Sequence, residues 1–173
     1  MTHDRERFTT MYDECRQRVW AYVVSRAGRQ VADEVVSETF AIAWRKLHDV
    51  PQHALPYLLG IARNVLRENI REEARREGLA GELRDWVAGD VAEQVAERLG
   101  VLKAMARLTQ DERELLILVV WQGLSPRAAA RVVGCSVPTF RVRLHRARKR
   151  LQQEMDQPTA ATMSRFDLSR ELS

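Results

Sequence analysis

Apolar residues recur every three or four positions through most of the chain, the spacing that gathers them on one face of an α-helix. Phe8, Tyr12, Cys15, Val19, Tyr22 and Val23 form the first such stripe, which stops near Gly28. A second helix is predicted from about Val31 to Leu47, with Val36, Phe40, Ala43 and Leu47 inward and Asp33, Glu34 and Glu38 near its start. Acids there suit the positive end of the helix dipole. Pro51 and Pro56 bracket a loop. Tyr57, Leu58, Ile61, Val65, Leu66 and Ile70 then mark a third helix, which turns basic through Arg63, Arg67, Arg71, Arg75 and Arg76.

The pattern thins between residues 78 and 97, where Gly78, Gly81 and Gly89 interrupt sparse apolar positions. Helical spacing returns with Leu99, Leu102, Met105 and Leu108. The apolar run from Leu115 to Val120 fits a strand or a buried helix, and its helical neighbours favour helix. After it comes the most informative segment. Ser125 is a natural N-cap, Pro126 occupies the first helical position, and Gly134 ends the helix. Another helix restarts around Ser136 to Pro138, carrying Phe140, Leu144, Ala147 and Leu151 inward and leaving Arg141, His145, Arg146 and Arg148 outside. Two short helices joined by a tight turn make a helix-turn-helix, with Ala130 small enough for the closest approach. The expected fold is all-α: two small helical domains, residues 1–77 and 98–153, joined by an acidic linker over 78–97.

Charge is segregated rather than large, with a formal net of +4. No Asp or Glu occurs from Leu115 to Gln153, whereas Arg127, Arg131, Arg141, Arg143, Arg146, Arg148, Lys149 and Arg150 all fall there. An acid-free basic helix is the footprint of a polyanion-binding surface. Arginine can donate to two acceptors on guanine, while Arg148, Lys149 and Arg150, further along, suit phosphates. From Glu77 to Glu97 the balance reverses, with Glu77, Glu82, Asp85, Asp90, Glu93 and Glu97 against Arg84.

Other chemistry is sparse. Cys15 and Cys135 lie far apart without a CxxC or HxxxH companion, so neither a zinc site nor a disulfide framework is expected, and both read as small buried hydrophobes. His3, His48, His53 and His145 are scattered, and no catalytic triad order or glycine-rich phosphate loop accompanies them. The expectation is a binding protein, not an enzyme, with no cofactor or metal. No uncharged run approaches the roughly 18 residues a membrane span needs, which points to a cytoplasmic protein. The tail over 154–173 reads as flexible, although Ser164 to Asp167 has the form of a capping box before Leu168 and Leu172.

Taken together, LSPRAAARVVGCSVPTFRVRLHRARKRL from Leu124 to Leu151 closely resembles region 4 of the extracytoplasmic-function (ECF) sigma factors. ADEVVSETFAIAWR from Ala32 to Arg45 resembles region 2.2, and YLLGIARN from Tyr57 to Asn64 resembles the start of the promoter-melting segment. These stand in the family's order. The resemblance implies a sigma factor that binds core RNA polymerase and directs promoter recognition, with residues 1–77 as region 2 and 98–153 as region 4. It implies that Asp33, Glu34, Ser37 and Glu38 meet the polymerase beta-prime coiled coil, and that region 4 meets the beta flap. Arg63, Asn64, Arg67 and Arg71 would handle the -10 element, Asn64 by capturing a flipped base and the arginines by holding the strand. Arg141, Val142, Arg143, His145, Arg146, Arg148 and Lys149 would read or hold the -35 element. An anti-sigma factor is the further partner implied. Ser37 departs from a common Gln, Gly60 from a larger or basic residue, and Val142 from a small polar one. The rival reading is a stand-alone helix-turn-helix regulator, which accounts only for the second half; a helical adaptor without a DNA role leaves the acid-free stretch unexplained.

Overall fold

The computed structural model describes residues 2–77 and 95–156. Residues 78–94 of the expected acidic linker, and the tail beyond residue 156 with its Ser164 to Asp167 capping box, lie outside the described residues. Within the described residues the chain forms seven α-helices: α1 (Thr2–Ala27), α2 (Ala32–Arg45), α3 (Ala54–Glu77), α4 (Val95–Arg107), α5 (Gln110–Leu116), α6 (Pro126–Val133) and α7 (Val137–Asp156). The helix α4 starts inside the stretch that sequence assigned to the linker.

The first lobe is α1, α2 and α3 packed mutually. Val19, Tyr22 and Val23 from α1 meet Val35, Phe40 and Ala43 from α2 and Leu58, Leu59 and Ala62 from α3, all buried. Each large apolar side chain so removed from water contributes about 1.5–3 kcal/mol. Leu47 joins this core from a separate 3-10 turn, Leu47–Asp49, rather than from α2 itself. Phe8, Tyr12, Phe40 and Trp44 interlock edge to face along one side, with ring centroids 4.8–5.0 Å apart for the two nearest pairs.

In the second lobe α7 runs past α4, α5 and α6. Thr109 and Glu112 cap α5 reciprocally, the Thr109 hydroxyl accepting from the Glu112 amide and the Glu112 carboxylate accepting from the Thr109 amide. Such a Thr-x-x-Glu spacing is itself a readable helix start. The apolar run after Leu115 is helical, and it widens into a π turn over Ile117–Trp121. That extra residue per turn keeps Ile117 and Leu118 buried and delivers Val120 and Trp121 to the surface, the latter 58% exposed.

The helix-turn-helix forms as its residues dictate. The Ser125 hydroxyl accepts from the Ala128 amide at 3.1 Å, a cap worth about 1 kcal/mol. Gly134 adopts φ 78° and ψ 39°, and the amides of Gly134 and Cys135 both return to the Ala130 carbonyl. Ala129 and Ala130 let α6 lie close against α7, whose Phe140, Leu144 and Ala147 are buried. Cys15 is buried as expected, and burial with the nearby Glu14 pushes its thiol up; Cys135, at the turn, is only partly covered. The two lobes are not separate beads. The helix α6 packs against α3, and buried residues of both lobes join one continuous core.

Candidate nucleic-acid and polymerase interfaces

On α7 the side chains facing away from Phe140, Leu144 and Ala147 are Arg141, Val142, His145, Arg146, Arg148 and Lys149, all exposed. Arg141, His145 and Arg148 fall on one line along the helix and Val142, Arg146 and Lys149 on the next, as spacings of three and four require. Val142 places an apolar contact between the arginines. Arg143 stands apart: its guanidinium pairs with Asp111 at 3.5 Å, tying α7 to the start of α5. Ser136 opens α7, its hydroxyl accepting from the Thr139 amide at 3.3 Å. At the far end, Arg150 pairs with Glu154 one turn on, and Glu154 also takes Arg107 from α4. The resulting surface is a rigid helix with a cationic outer face and an apolar inner one, the form that enters a DNA major groove.

The second candidate surface is on α2. Glu34, Ser37 and Glu38 are exposed on one face. Asp33 is exposed too, but accepts a hydrogen bond from the Trp20 indole at 3.2 Å, so it braces α2 against α1.

Along α3, Asn64, Arg67 and Arg71 are exposed, and Arg71 pairs with Glu68 at 3.3 Å. Arg63 is different. Its Nε donates to Glu114 of α5 at 2.9 Å, and its side chain is only 12% exposed. Glu114, 1% exposed, also accepts from the Tyr22 hydroxyl at 2.6 Å and pairs with Arg26 at 3.1 Å. A carboxylate buried this deeply would cost several kcal/mol if left alone, and here three donors surround it. Burial first, and then the facing Glu114 charge, hold the Tyr22 phenol well above its ordinary range, so it remains a donor. Sequence reasoning did not single out Glu114. Flanked by Asp111, Glu112 and Arg113, it has the look of a solvated charge cluster, and only its spacing to buried Leu115 and Leu118 hints otherwise.

Residues 11–76 match the family model of Sigma-70 region 2, and residues 98–151 match that of Sigma-70, region 4. The ECF RNA polymerase sigma factor SigC of Mycobacterium tuberculosis is 36% identical over 141 residues, covering 79% of this chain and 76% of its own. The chain belongs to the ECF family of RNA polymerase sigma factors. Its two matched regions are the two lobes, in the order region 2 then region 4. The probable RNA polymerase sigma factor RfaY of Xanthomonas campestris is 32% identical over 167 residues, and this sigma factor spans about 40% of RfaY's length. Among solved structures, the sigma factor RpoE of Bartonella quintana, crystallised with the anti-sigma factor NepR, aligns with a TM-score of 0.72 at 27% identity. That alignment covers 87% of this sigma factor and 98% of RpoE, so it runs through both lobes. Among the described residues no helix is long and apolar enough to cross a membrane, and no group of His, Cys, Asp and Glu is arranged to hold a metal ion.

Proposed function

We propose that this chain is a promoter-specificity subunit: it binds core RNA polymerase in the cytoplasm and directs initiation at promoters carrying a matched pair of elements. The observation that carries the reading is the pairing, in one chain, of an exposed basic helix on a region 4 lobe, free of acids as far as Gln153, with an exposed acidic face on a region 2 lobe. Glu34, Ser37 and Glu38 on α2 supply the docking face for a basic helical surface of polymerase, the beta-prime coiled coil, and region 4 meets the beta flap. Arg141, Val142, His145 and Arg146 meet base edges of the -35 element, while Arg143, Arg148 and Lys149 hold phosphates. Asn64 on α3 takes an unpaired base of the -10 element, and Arg67 and Arg71, with Arg63 when it is released, hold the displaced strand. The role is recognition, and the chemistry of RNA synthesis belongs to the polymerase. RpoE has been crystallised with the anti-sigma factor NepR, and an anti-sigma factor is the corresponding partner here.

Run-off transcription with core enzyme on promoters from the same genome tests this directly. The expected result is a discrete transcript that requires both the chain and core polymerase. Operator binding without any core association would instead establish the stand-alone regulator.

A further inference from the structure

Val142 is the residue of α7 whose place the fold does not explain. It is 51% exposed and stands outside the buried cluster that holds Phe140, Leu144 and Ala147. Trp44, nearly as exposed, has the ring of Phe8 edge-on against it. β-Branched side chains are also poorer helix formers than the unbranched residues that could occupy an exposed face. A lone exposed valine is ordinary on a protein surface. This one lies in the second turn of α7 with Arg141 beside it, His145 three residues on and Arg146 four, all exposed. The apolar surface continues one turn back. Pro138, also exposed, lies four residues before Val142, while the hydroxyls of Ser136 and Thr139, 2.7 Å apart, engage each other at the helix start. Pro138 and Val142 therefore form an apolar strip one turn long, in the N-terminal part that the second helix of a helix-turn-helix presents to base edges.

Base edges in the major groove differ in what they offer such a strip. Guanine shows two acceptors, cytosine an amino donor and adenine one of each, and only thymine carries a methyl group. Valine neither donates nor accepts, so against the first three edges it covers polar groups without pairing them. Against thymine it meets carbon with carbon. The flanking guanidinium groups sharpen the choice between the two pyrimidines. Thymine O4, next to the methyl, can accept from Arg141 or Arg146, whereas cytosine N4 turns a further donor toward groups that only donate.

We propose that Val142 determines specificity in this sigma factor by packing on the 5-methyl group of one thymine in the -35 element. This rests on the promoter-recognition reading and adds the identity of a base. Side chains four apart on a helix are about 5–6 Å from each other and stacked base pairs about 3.4 Å, so that thymine lies within two base-pair steps of the edge that Arg146 meets.

The test uses the full chain bound to core polymerase, and promoter duplexes from the same genome in which each thymine of the -35 element is replaced singly by uracil. Uracil keeps the pairing and the O4 acceptor and loses only the methyl group. At one position affinity should fall about three- to fivefold, the worth of one methyl group removed from water. Cytosine at that position, paired with guanine, should cost more. Replacing it by 5-methylcytosine should recover part of the loss, because the methyl returns and O4 does not. Val142→Ala should no longer distinguish the thymine duplex from the uracil duplex. Alanine suits a helix better than valine, and circular dichroism checks that the variant keeps its helices. Equal affinity for thymine and uracil at every position overturns the inference, as does a -35 element with no thymine on either strand. A folded Val142→Ala protein that discriminates as the parent does overturns it too. Failure of the complex with core polymerase to bind any promoter duplex would instead overturn the promoter-recognition reading itself.

Discussion

Gly134 and Gly60 offer the same substitution with opposite expected signs. At Gly134 the backbone is left-handed, φ 78° and ψ 39°, and an added Cβ would meet nothing within 4 Å. The cost of Gly134→Ala is therefore conformational alone. An L-residue in this region costs about 1–2 kcal/mol. Reduced freedom of the unfolded chain returns about 0.4–1 kcal/mol. The net is a loss of about 1 kcal/mol. Gly60 lies inside α3, and a Cβ there also meets nothing within 4 Å. Gly60→Ala should then gain about 0.8–1 kcal/mol from helix propensity. For a chain of this size 1 kcal/mol moves the melting temperature by about 2–4 °C. Thermal unfolding followed by circular dichroism should place the two variants on either side of the parent, Gly134→Ala below and Gly60→Ala above. A Gly134→Ala protein as stable as the parent would refute the claim that the helix-turn-helix corner depends on a left-handed residue.

Reversing Glu34 and Glu38 to Lys together should weaken core polymerase binding, measured by pull-down, with helicity unchanged; equal binding would remove α2 from the docking surface. Arg141→Ala and Arg146→Ala should each cost about 1–3 kcal/mol in binding to a -35 duplex and relax preference at particular bases, whereas Lys149→Ala should act evenly across sequences. Titration of competitor duplexes separates the two patterns. The Tyr22 phenol is raised by burial and by Glu114, so its contribution to stability is fully present below its ordinary value of 10.0 and is lost as pH rises through the higher folded value. Stability should thus fall on the alkaline side above about pH 10, and Tyr22→Phe should flatten that limb in urea unfolding; an identical limb in both proteins would show that Tyr22 does not titrate on unfolding.

The helices and the exposed basic face of α7 were legible because their causes are local. Ser125, Pro126 and Gly134 act within a few residues of themselves, and the alternation of Phe140, Leu144 and Ala147 with Arg141, His145 and Arg148 separates inside from outside along a single helix. Three- and four-residue spacing said less about the run after Leu115, since it cannot reveal a π turn that shifts Val120 and Trp121 outward. Leu47 kept its inward place while leaving the helix, because a 3-10 turn preserves much the same facing. The relation between the lobes was invisible. Glu114 meets Arg63 across 51 residues of sequence and Tyr22 across 92, and no periodicity links positions so far apart. Arg63 was legible as a basic residue on α3, but not as one held by a carboxylate.

Arg113 gives the neighbouring position an unusual steadiness. Its guanidinium donates to the carbonyls of Met105 at 3.0 Å, Ala106 at 3.2 Å and Leu108 at 3.0 Å, closing the last turn of α4 as a glycine cap would in another helix. The corner between α4 and α5 is fixed from within region 4, and the capping box at Thr109 fixes it again. Glu114 therefore presents its carboxylate from a backbone frame held by contacts within region 4. A contact made by such a preorganised group loses little to ordering it, so the placing of the Glu114 carboxylate rests on hydrogen bonds within one lobe rather than on those it makes to the other.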